Sequence, residues 1–311
     1  MMEDKTHTIV TVWCLTYNQK DFIKDALDGF VMQKTDFAFE VIVHDDASTD
    51  GTTDIVRQYA ERYPEIIKPV VETVNQWRKG GLRHIIDIMN EKYRRSKYIA
   101  FCEGDDFWTD EFKLQRQVDF LEANPDYSMC FHSARKQYEN QSSCWLNCEN
   151  IENRDYDATS LFVHWTVPTA SVICRREAMD FYANIKDKSS IYNYDIFIIL
   201  SCCMVGKVRG MNEQMSVYRI QGDGLTYNSK ALIRCKMQNP EHFLCLKTNF
   251  PIVAEKYVNE TISKTFFERA IVQNKLSLKI KDYFSSLRFS PCRFFVMSLH
   301  TISKSLLSRK K

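Results

Sequence analysis

Across the N-terminal third of the chain, β-branched runs of strand length alternate with stretches in which apolar residues recur three and four positions apart. Thr8–Leu15 (TIVTVWCL) predicts a strand, ended by a polar break at Thr16–Gln19 (TYNQ). Asp21–Met32 then sets Phe22, Ala26 and Phe30, with Ile23, Leu27 and Val31 beside them, at helical spacing. Phe39–His44 predicts a second strand. In the DDASTDGT that follows, Ser48, Thr49 or Asp50 is placed to cap a helix through Ile55, Val56, Tyr59 and Ala60. Ile66–Val71 and Tyr98–Cys102 predict two more strands, separated by a turn at Lys79–Gly81 and a helix over Ile85–Tyr93. A further helix is expected over Thr109–Ala123, with Leu114, Val118 and Leu121 inward.

The middle of the chain holds a polar, loop-like segment, Gln137–Asp157, and two strand-like pieces, Thr169–Arg175 and Met215–Ile220. Between those pieces, Asp195–Val205 (DIFIILSCCMV) reads as a nearly all-apolar helix with an aspartate at its start. After about residue 230 the pattern is helical and basic. Strands alternating with helices imply an α/β fold with a mostly parallel sheet flanked by helices. Ligands of such sheets bind beyond the carboxyl ends of the strands. Three polar stretches fall there: TYNQ after the first strand, Asp45–Thr49 (DDAST) after the second, and Glu103–Asp106 (EGDD) after the fourth.

Composition narrows the choice. Hydrophobic residues at 44% and charged residues at 26% are ordinary for a soluble globular protein. A formal net charge of +2 provides no global field for nucleic acid, and no nucleic-acid partner is expected. The charge is uneven, because from Lys279 onward eight basic residues face one acid, Asp282. No apolar run reaches the ~18–20 residues of a membrane span, and the N-terminus lacks the plan of a signal peptide. The eleven cysteines are therefore expected in a reducing cytoplasm. Cys144/Cys148 and Cys202/Cys203 have no second pair at zinc spacing, so no structural zinc is expected.

Neither G-x-G-x-x-G nor G-x-x-x-x-G-K-[ST] occurs, so a phosphate needs a holder other than a glycine cradle. The EGDD segment suggests one. Three carboxylates within four residues repel unless a cation sits among them, and hard oxygen ligands suit Mg²⁺ or Mn²⁺ shared with a diphosphate. The alternative is that Asp105 or Asp106 caps the next helix.

Thr11–Asn18 (TVWCLTYN), Val41–Thr52 (VIVHDDASTDGT) and Ile99–His132 (IAFCEGDDFWTDEFKLQRQVDFLEANPDYSMCFH) resemble the family 2 nucleotide-sugar glycosyltransferases of the GT-A fold. The similarity is greatest to bacterial enzymes that build capsule, O-antigen or other surface polysaccharide, and it spans about residues 8–228. It implies a Rossmann-like, mostly parallel sheet and a GT-A catalytic domain over 1–230. The nucleotide-sugar half would end near 110 and the acceptor half would occupy 111–230, with a helical basic extension over 231–311. It also implies a nucleoside-diphosphate-sugar donor, UDP-linked, a saccharide or lipid-linked saccharide acceptor, and a divalent metal, Mn²⁺ or Mg²⁺.

By that resemblance Thr16, Tyr17 and Asn18 line the nucleobase pocket, and Asp45 and Asp46 read uracil and ribose. Glu103-Gly104-Asp105 stands where the family has D-x-D, with glutamate as a departure that still reaches a ribose hydroxyl. Asp105 and Asp106 are the expected metal ligands. Asp195 falls at the position of the catalytic base, which would make the reaction inverting; its other reading is a helix cap. Gln221 stands where the family often has histidine, two residues after Tyr218-Arg219, and it is the poorer metal ligand. Arg219 is then the expected diphosphate partner, or else structural, and Arg83 is a weaker candidate on the nucleotide side.

Trp108 and Trp165 suit either sugar stacking or core packing, and His132 and His164 suit core or loop positions. Phe289–Lys311, apolar among basic residues, is suited to an anionic membrane surface or to docking on the catalytic domain, which would place the protein in the cytoplasm, peripheral on the membrane's inner face. Two other classes fit less well. In a non-catalytic saccharide- or nucleotide-binding relative the retention of all five aspartates would be unexplained. A sugar nucleotidyltransferase would need a glycine-rich phosphate loop, which is absent.

Overall fold

The computed structural model describes residues 8–77, 85–86, 89, 96–139, 148–191, 193–221 and 229–308. The chain divides into two compact units, residues 1–184 with 194–221 and residues 185–193 with 222–311.

The first unit is built on one eight-stranded sheet with the order β3-β2-β1-β4-β7-β6-β8-β5. Strands β1 (Thr8–Thr16), β2 (Ala38–Asp45), β3 (Ile67–Val71) and β4 (Tyr98–Phe101) run parallel to one another. Their β-branched residues fill both faces, as a strand covered on both sides requires. Val10, Val12, Cys14, Val41, Val43, Tyr98 and Ala100 pack with Ile23, Leu27 and Phe30 of helix α1 (Ile23–Val31) and Val56 of helix α2 (Thr52–Arg62). Each such side chain contributes about 1.5–3 kcal/mol on burial. Gly29 of α1 lies against Trp108, where an added Cβ would meet backbone at 3.0 Å. The helix therefore reaches β5 (Phe107–Trp108) only with glycine there.

The other half of the sheet is mixed. β7 (Ile173–Arg175) is antiparallel to both β4 and β6 (Tyr127–Tyr138); β6 is parallel to β8 (Lys207–Ile220), and β5 antiparallel to β8. Three expectations change here. The strand expected at Met215–Ile220 begins at Lys207, because an irregular register opposite His132–Ala134 absorbs the polar Asn212–Glu213 without ending the pairing. Thr169–Arg175 splits into a 3₁₀ turn over Thr169–Ser171 and the short β7. The carbonyls of Ala170 and Ser171 accept side-chain donors, Trp108 Nε1 at 2.8 Å and Gln117 Nε2 at 2.9 Å. Residues 127–138, given no element by periodicity, form the long central β6.

Helix α3 (Lys113–Ala123) buries Leu114, Val118 and Leu121 as expected. Asp157 caps helix α4 (Ala158–His164) by accepting from the Ser160 N–H at 2.9 Å. Helix α5 (Arg176–Ala183) precedes helix α6 (Asp195–Val205), whose Ile196–Leu200 run is buried all round, as a helix apolar on every face must be.

The second unit carries helices α7 (Ser229–Asn249), α8 (Glu255–Val272), α9 (Leu276–Phe289) and α10 (Pro291–Ser308). Arg269 of α8 forks onto Asp282 of α9 (3.0 and 2.8 Å) and pairs with Glu241 of α7 (2.6 Å). The helix predicted over Ile85–Tyr93 lies mostly outside the described residues, as do Arg83 and the Lys79–Gly81 turn.

Candidate active site

The carboxyl ends of β1, β2 and β4 converge, and backbone bonds stitch their loops together. The Asp46 N–H donates to the Thr16 carbonyl (3.0 Å), the Cys102 N–H to Trp13 (2.9 Å) and the Gly104 N–H to Leu15 (2.9 Å). Residues 18–20 are laced to 48–52. The Asn18 N–H donates to Ser48 Oγ, the Thr49 N–H to Asn18 Oδ1, the Gln19 N–H to Thr52 Oγ1 and the Lys20 N–H to Asp50 Oδ2, all at 2.8–2.9 Å. Asn18 (φ 51°) and Ala47 (φ 63°) sit in the left-handed region, a conformation that persists only where surroundings over-determine it. The cap expected at Ser48, Thr49 or Asp50 is instead Gly51 (φ 104°), with no side-chain cap bond, while Asp50 just before it accepts from the Thr52 N–H at 3.0 Å.

The acids of the second loop are anchors. Asp45, fully buried, accepts from the Ser48 N–H (3.0 Å), the Ser48 hydroxyl (2.5 Å) and the Thr53 hydroxyl. Asp46 accepts from the N–H groups of Gln76 (2.6 Å) and Trp77 (3.1 Å), fastening the segment after β3. Both carboxylates of the pair expected to read base and ribose thus also hold their own loops. Thr16 is buried and its hydroxyl donates to Gln19 Oε1 (2.8 Å), whereas Tyr17 is exposed.

Gly104 has no room for a side chain, since a Cβ would sit 2.5 Å from Gln19 Oε1 and 2.8 Å from Thr16 Oγ1. That close approach brings Glu103, Asp105 and Asp106 over the β1 loop. Gln19 also hydrogen-bonds Asp105, and sequence reading passed it over although it lies in the TYNQ break. Gln221 Nε2 donates to Asp105 Oδ2 at 2.8 Å, and the Arg219 backbone N–H donates to Asp106 Oδ1 at 2.8 Å. Asp106 Oδ2 is buried with no hydrogen-bond partner among the described residues.

Arg219, expected as a diphosphate partner or else as structural, makes an extensive set of contacts within the protein. Its guanidinium is buried between the rings of Phe22 and Phe107 and donates to Asp25 (2.7 Å), Glu139 (3.1 Å) and the Asp105 carbonyl (2.8 Å). It is a strut joining α1, the end of β6 and the acidic loop, contacts that match the structural one of its two expected roles. Trp108 likewise packs in the core, edge-on to Phe30 at 5.0 Å, and His132 is a buried histidine whose Nδ1 is 2.8 Å from the Ser133 carbonyl.

Asp195 opens α6 without capping it, since no side-chain cap bond forms at that terminus. With Glu103 it lines a cavity of about 70 Å³ whose other walls include Trp13, Phe101, Thr169, Val172 and Ile198. Burial pushes Asp195 up to about 6. Burial, and then repulsion from Asp195, Asp106 and Asp105, pushes Glu103 well above the usual carboxylate range. Burial and then Asp105 do the same for Asp106, and burial raises Asp105 against the pull of Arg219 and Gln19. Burial, joined at Glu103 and Asp106 by repulsion from neighbouring acids, thus favours the protonated form of all four carboxyls. No set of three or more histidine, cysteine or acidic side chains among the described residues forms a complete metal cage.

Comparison with known proteins gives this geometry a family. The family model described as glycosyl transferase family 2 matches residues 11–180. An uncharacterised protein of Mycobacterium tuberculosis (strain H37Rv) is 32% identical over 220 residues, which cover 71% of this chain and 61% of the relative; the chain thus spans about three-fifths of that relative's length. The putative teichuronic acid biosynthesis glycosyltransferase TuaG of Bacillus subtilis is 26% identical over 222 residues, 71% of this chain and 82% of the relative. Among solved structures, S. aureus TarS 1–349 in complex with UDP-GlcNAc superposes with a TM-score of 0.60 at 15% identity, over 92% of this chain and 83% of that one, a likeness of fold. The sheet and its flanking helices are a GT-A fold, and the chain belongs to glycosyltransferase family 2.

Proposed function

We propose that this protein is an inverting glycosyltransferase that moves a sugar from a UDP-sugar to a saccharide or lipid-linked saccharide acceptor in surface polysaccharide synthesis. The observation that carries the reading is the meeting of Glu103 and Asp195 in one cavity at the strand ends, with Asp105 and Asp106 close enough to raise the proton affinity of Glu103. The TarS complex with UDP-GlcNAc and the TuaG likeness support the donor and pathway classes.

Thr16, Tyr17 and Asn18 form the nucleobase side of the site, and Asp45 and Asp46 act through the loops they hold. Glu103 accepts from a donor hydroxyl. Asp105 and Asp106 would hold Mn²⁺ or Mg²⁺, whose chemistry there is to neutralise the charge gathering on the departing diphosphate. The residues fit that role: Asp106 offers a buried oxygen with no protein donor, and a cation of this kind completes its shell with water and phosphate oxygens. Asp195 takes the proton of the acceptor hydroxyl while that oxygen bonds to the anomeric carbon and the bond to diphosphate breaks. One displacement inverts the anomeric centre, and no sugar–enzyme bond forms.

Calorimetric titration with UDP, GDP, CDP and dTDP, each with and without Mn²⁺, tests the reading. UDP is expected to bind alone of the four, and only with metal; Asp106→Ala should abolish that metal-dependent binding. Equal binding of UDP with and without Mn²⁺ by wild type removes the metal from the proposal, and binding of another nucleotide in its place removes UDP.

A further inference from the structure

Helix α9 packs aromatic side chains on α8, Tyr283 edge-on to Phe267 at 5.4 Å and Phe289 stacked on Phe266 at 5.9 Å, but it leaves a second apolar face outside. The residues it buries against α8 are Asp282, forked by Arg269, and Ser286. Ser286 exchanges hydrogen bonds with Ser263: each hydroxyl donates to the other's carbonyl, at 2.7 and 2.8 Å. On the outer face of α9, Leu276, Ile280 and Phe284 are 69%, 47% and 68% exposed. Their spacing of four places them in a single stripe. Helix α10 repeats the pattern. Phe294 turns inward onto Phe267 and Tyr283 (5.7 and 6.3 Å between ring centres), while Phe295, Val296 and Leu299 are 58%, 59% and 68% exposed. Scattered exposed apolar residues are ordinary, but two helices that both present an apolar stripe to solvent are not.

The charge around these stripes has one sign. Lys275, Lys281, Arg288 and Arg293 are exposed on the two helices and their approach, and the single acid from Lys275 to the C-terminus, Asp282, is buried. None of the helices described is long and apolar enough to cross a membrane. An exposed apolar stripe with basic and no acidic neighbours matches the interface of an anionic bilayer, where apolar side chains enter the acyl boundary and the cations meet phosphate.

We propose that the outward faces of α9 and α10 dock this protein on an anionic lipid bilayer, with Leu276, Ile280, Phe284, Phe295, Val296 and Leu299 inserted and Lys281, Arg288 and Arg293 at the headgroups. The inference is independent of the reading of the catalytic site. Relative to sequence periodicity, which marked only Phe289–Lys311 for a membrane, it moves the surface upstream to include α9.

Co-sedimentation of the full chain with vesicles tests it, using phosphatidylcholine alone against phosphatidylcholine with phosphatidylglycerol. Wild type should sediment with the anionic vesicles, and salt should weaken the binding. Lys281→Glu and Arg288→Glu should each reduce the partition at least about fivefold, since each basic residue at such a surface contributes about that factor. Phe284→Ser with Phe295→Ser should abolish it while leaving the thermal melt in place. Equal partition to both vesicle types, or none, overturns the proposal. So does a wild-type dimer in light scattering that the Phe284→Ser/Phe295→Ser variant makes monomeric without any vesicle binding, because the face would then be a contact between two copies.

Discussion

Asp195 begins a helix that is otherwise almost entirely apolar, and at that position a carboxylate most often serves as a cap. Here it forms no cap and shares a cavity with Glu103. Burial raises its proton affinity to about 6, which is where a general base is useful near neutral pH. As base it must be ionised, so kcat/KM should rise about tenfold per pH unit below about pH 6 and level off above it. The Asp195→Asn variant should bind donor as wild type does, lose about 10²–10⁴-fold in transfer rate, and lose the acidic limb of the profile. A pH–rate series on both proteins decides the matter, and a limb that persists in the variant assigns the titration to another group.

At the scale of elements, Arg219 is a lesson in context. Its place at the end of β8 suggests a phosphate contact, but the strand delivers the guanidinium into the gap between α1, β6 and the EGDD loop. Removing one member of such a buried charged network costs about 3 kcal/mol. Arg219→Met should therefore lower the urea midpoint by a corresponding amount, and the folded fraction should still bind nucleotide within a few-fold of wild type. A large loss of affinity at unchanged stability would favour the diphosphate role instead. Helix α3 acts comparably through buried Lys113, whose ammonium lies 4.1 Å from the Trp108 ring and donates to Gln117 at 2.7 Å. Trp108 and Gln117 in turn hold the Thr169–Ser171 turn beside the cavity.

For the whole molecule, the acidic cluster is a cost to stability. A carboxylate whose folded proton affinity exceeds its unfolded value stabilises the fold below the unfolded value and loses that contribution as pH rises through the folded one. For Asp195 the window runs from the ordinary aspartate value of 3.8 to about 6. Asp195→Asn should accordingly melt with wild type below that window and at a higher temperature than wild type above it. Calorimetric scans across the window check the sign, and a variant that melts lower at neutral pH would mean that the carboxylate has a partner that stabilises its charge. The destabilisation is confined to the first unit, while the second is held by its own buried pairs, Arg269–Asp282 and Ser263–Ser286.

Local pattern was enough to read the parallel half of the sheet. β-branched runs at β1, β2, β3 and β4 and the apolar α6 need no distant partner to be recognised, because burial on all sides writes itself into consecutive residues. The clustering of TYNQ, DDAST and EGDD was equally visible, since parallel strands bring their carboxyl ends to one edge. What the tertiary structure alone decided were relations between residues far apart in the chain. β6 and the 3₁₀ turn before β7 depend on pairing and on side chains of Trp108 and Gln117. The inward anchoring of Asp45, Asp46 and Arg219, the approach of Gln19 to Asp105, and the outward face of α9 have the same origin. A residue's type fixes which bonds it can make; which neighbour arrives to make them is set by packing.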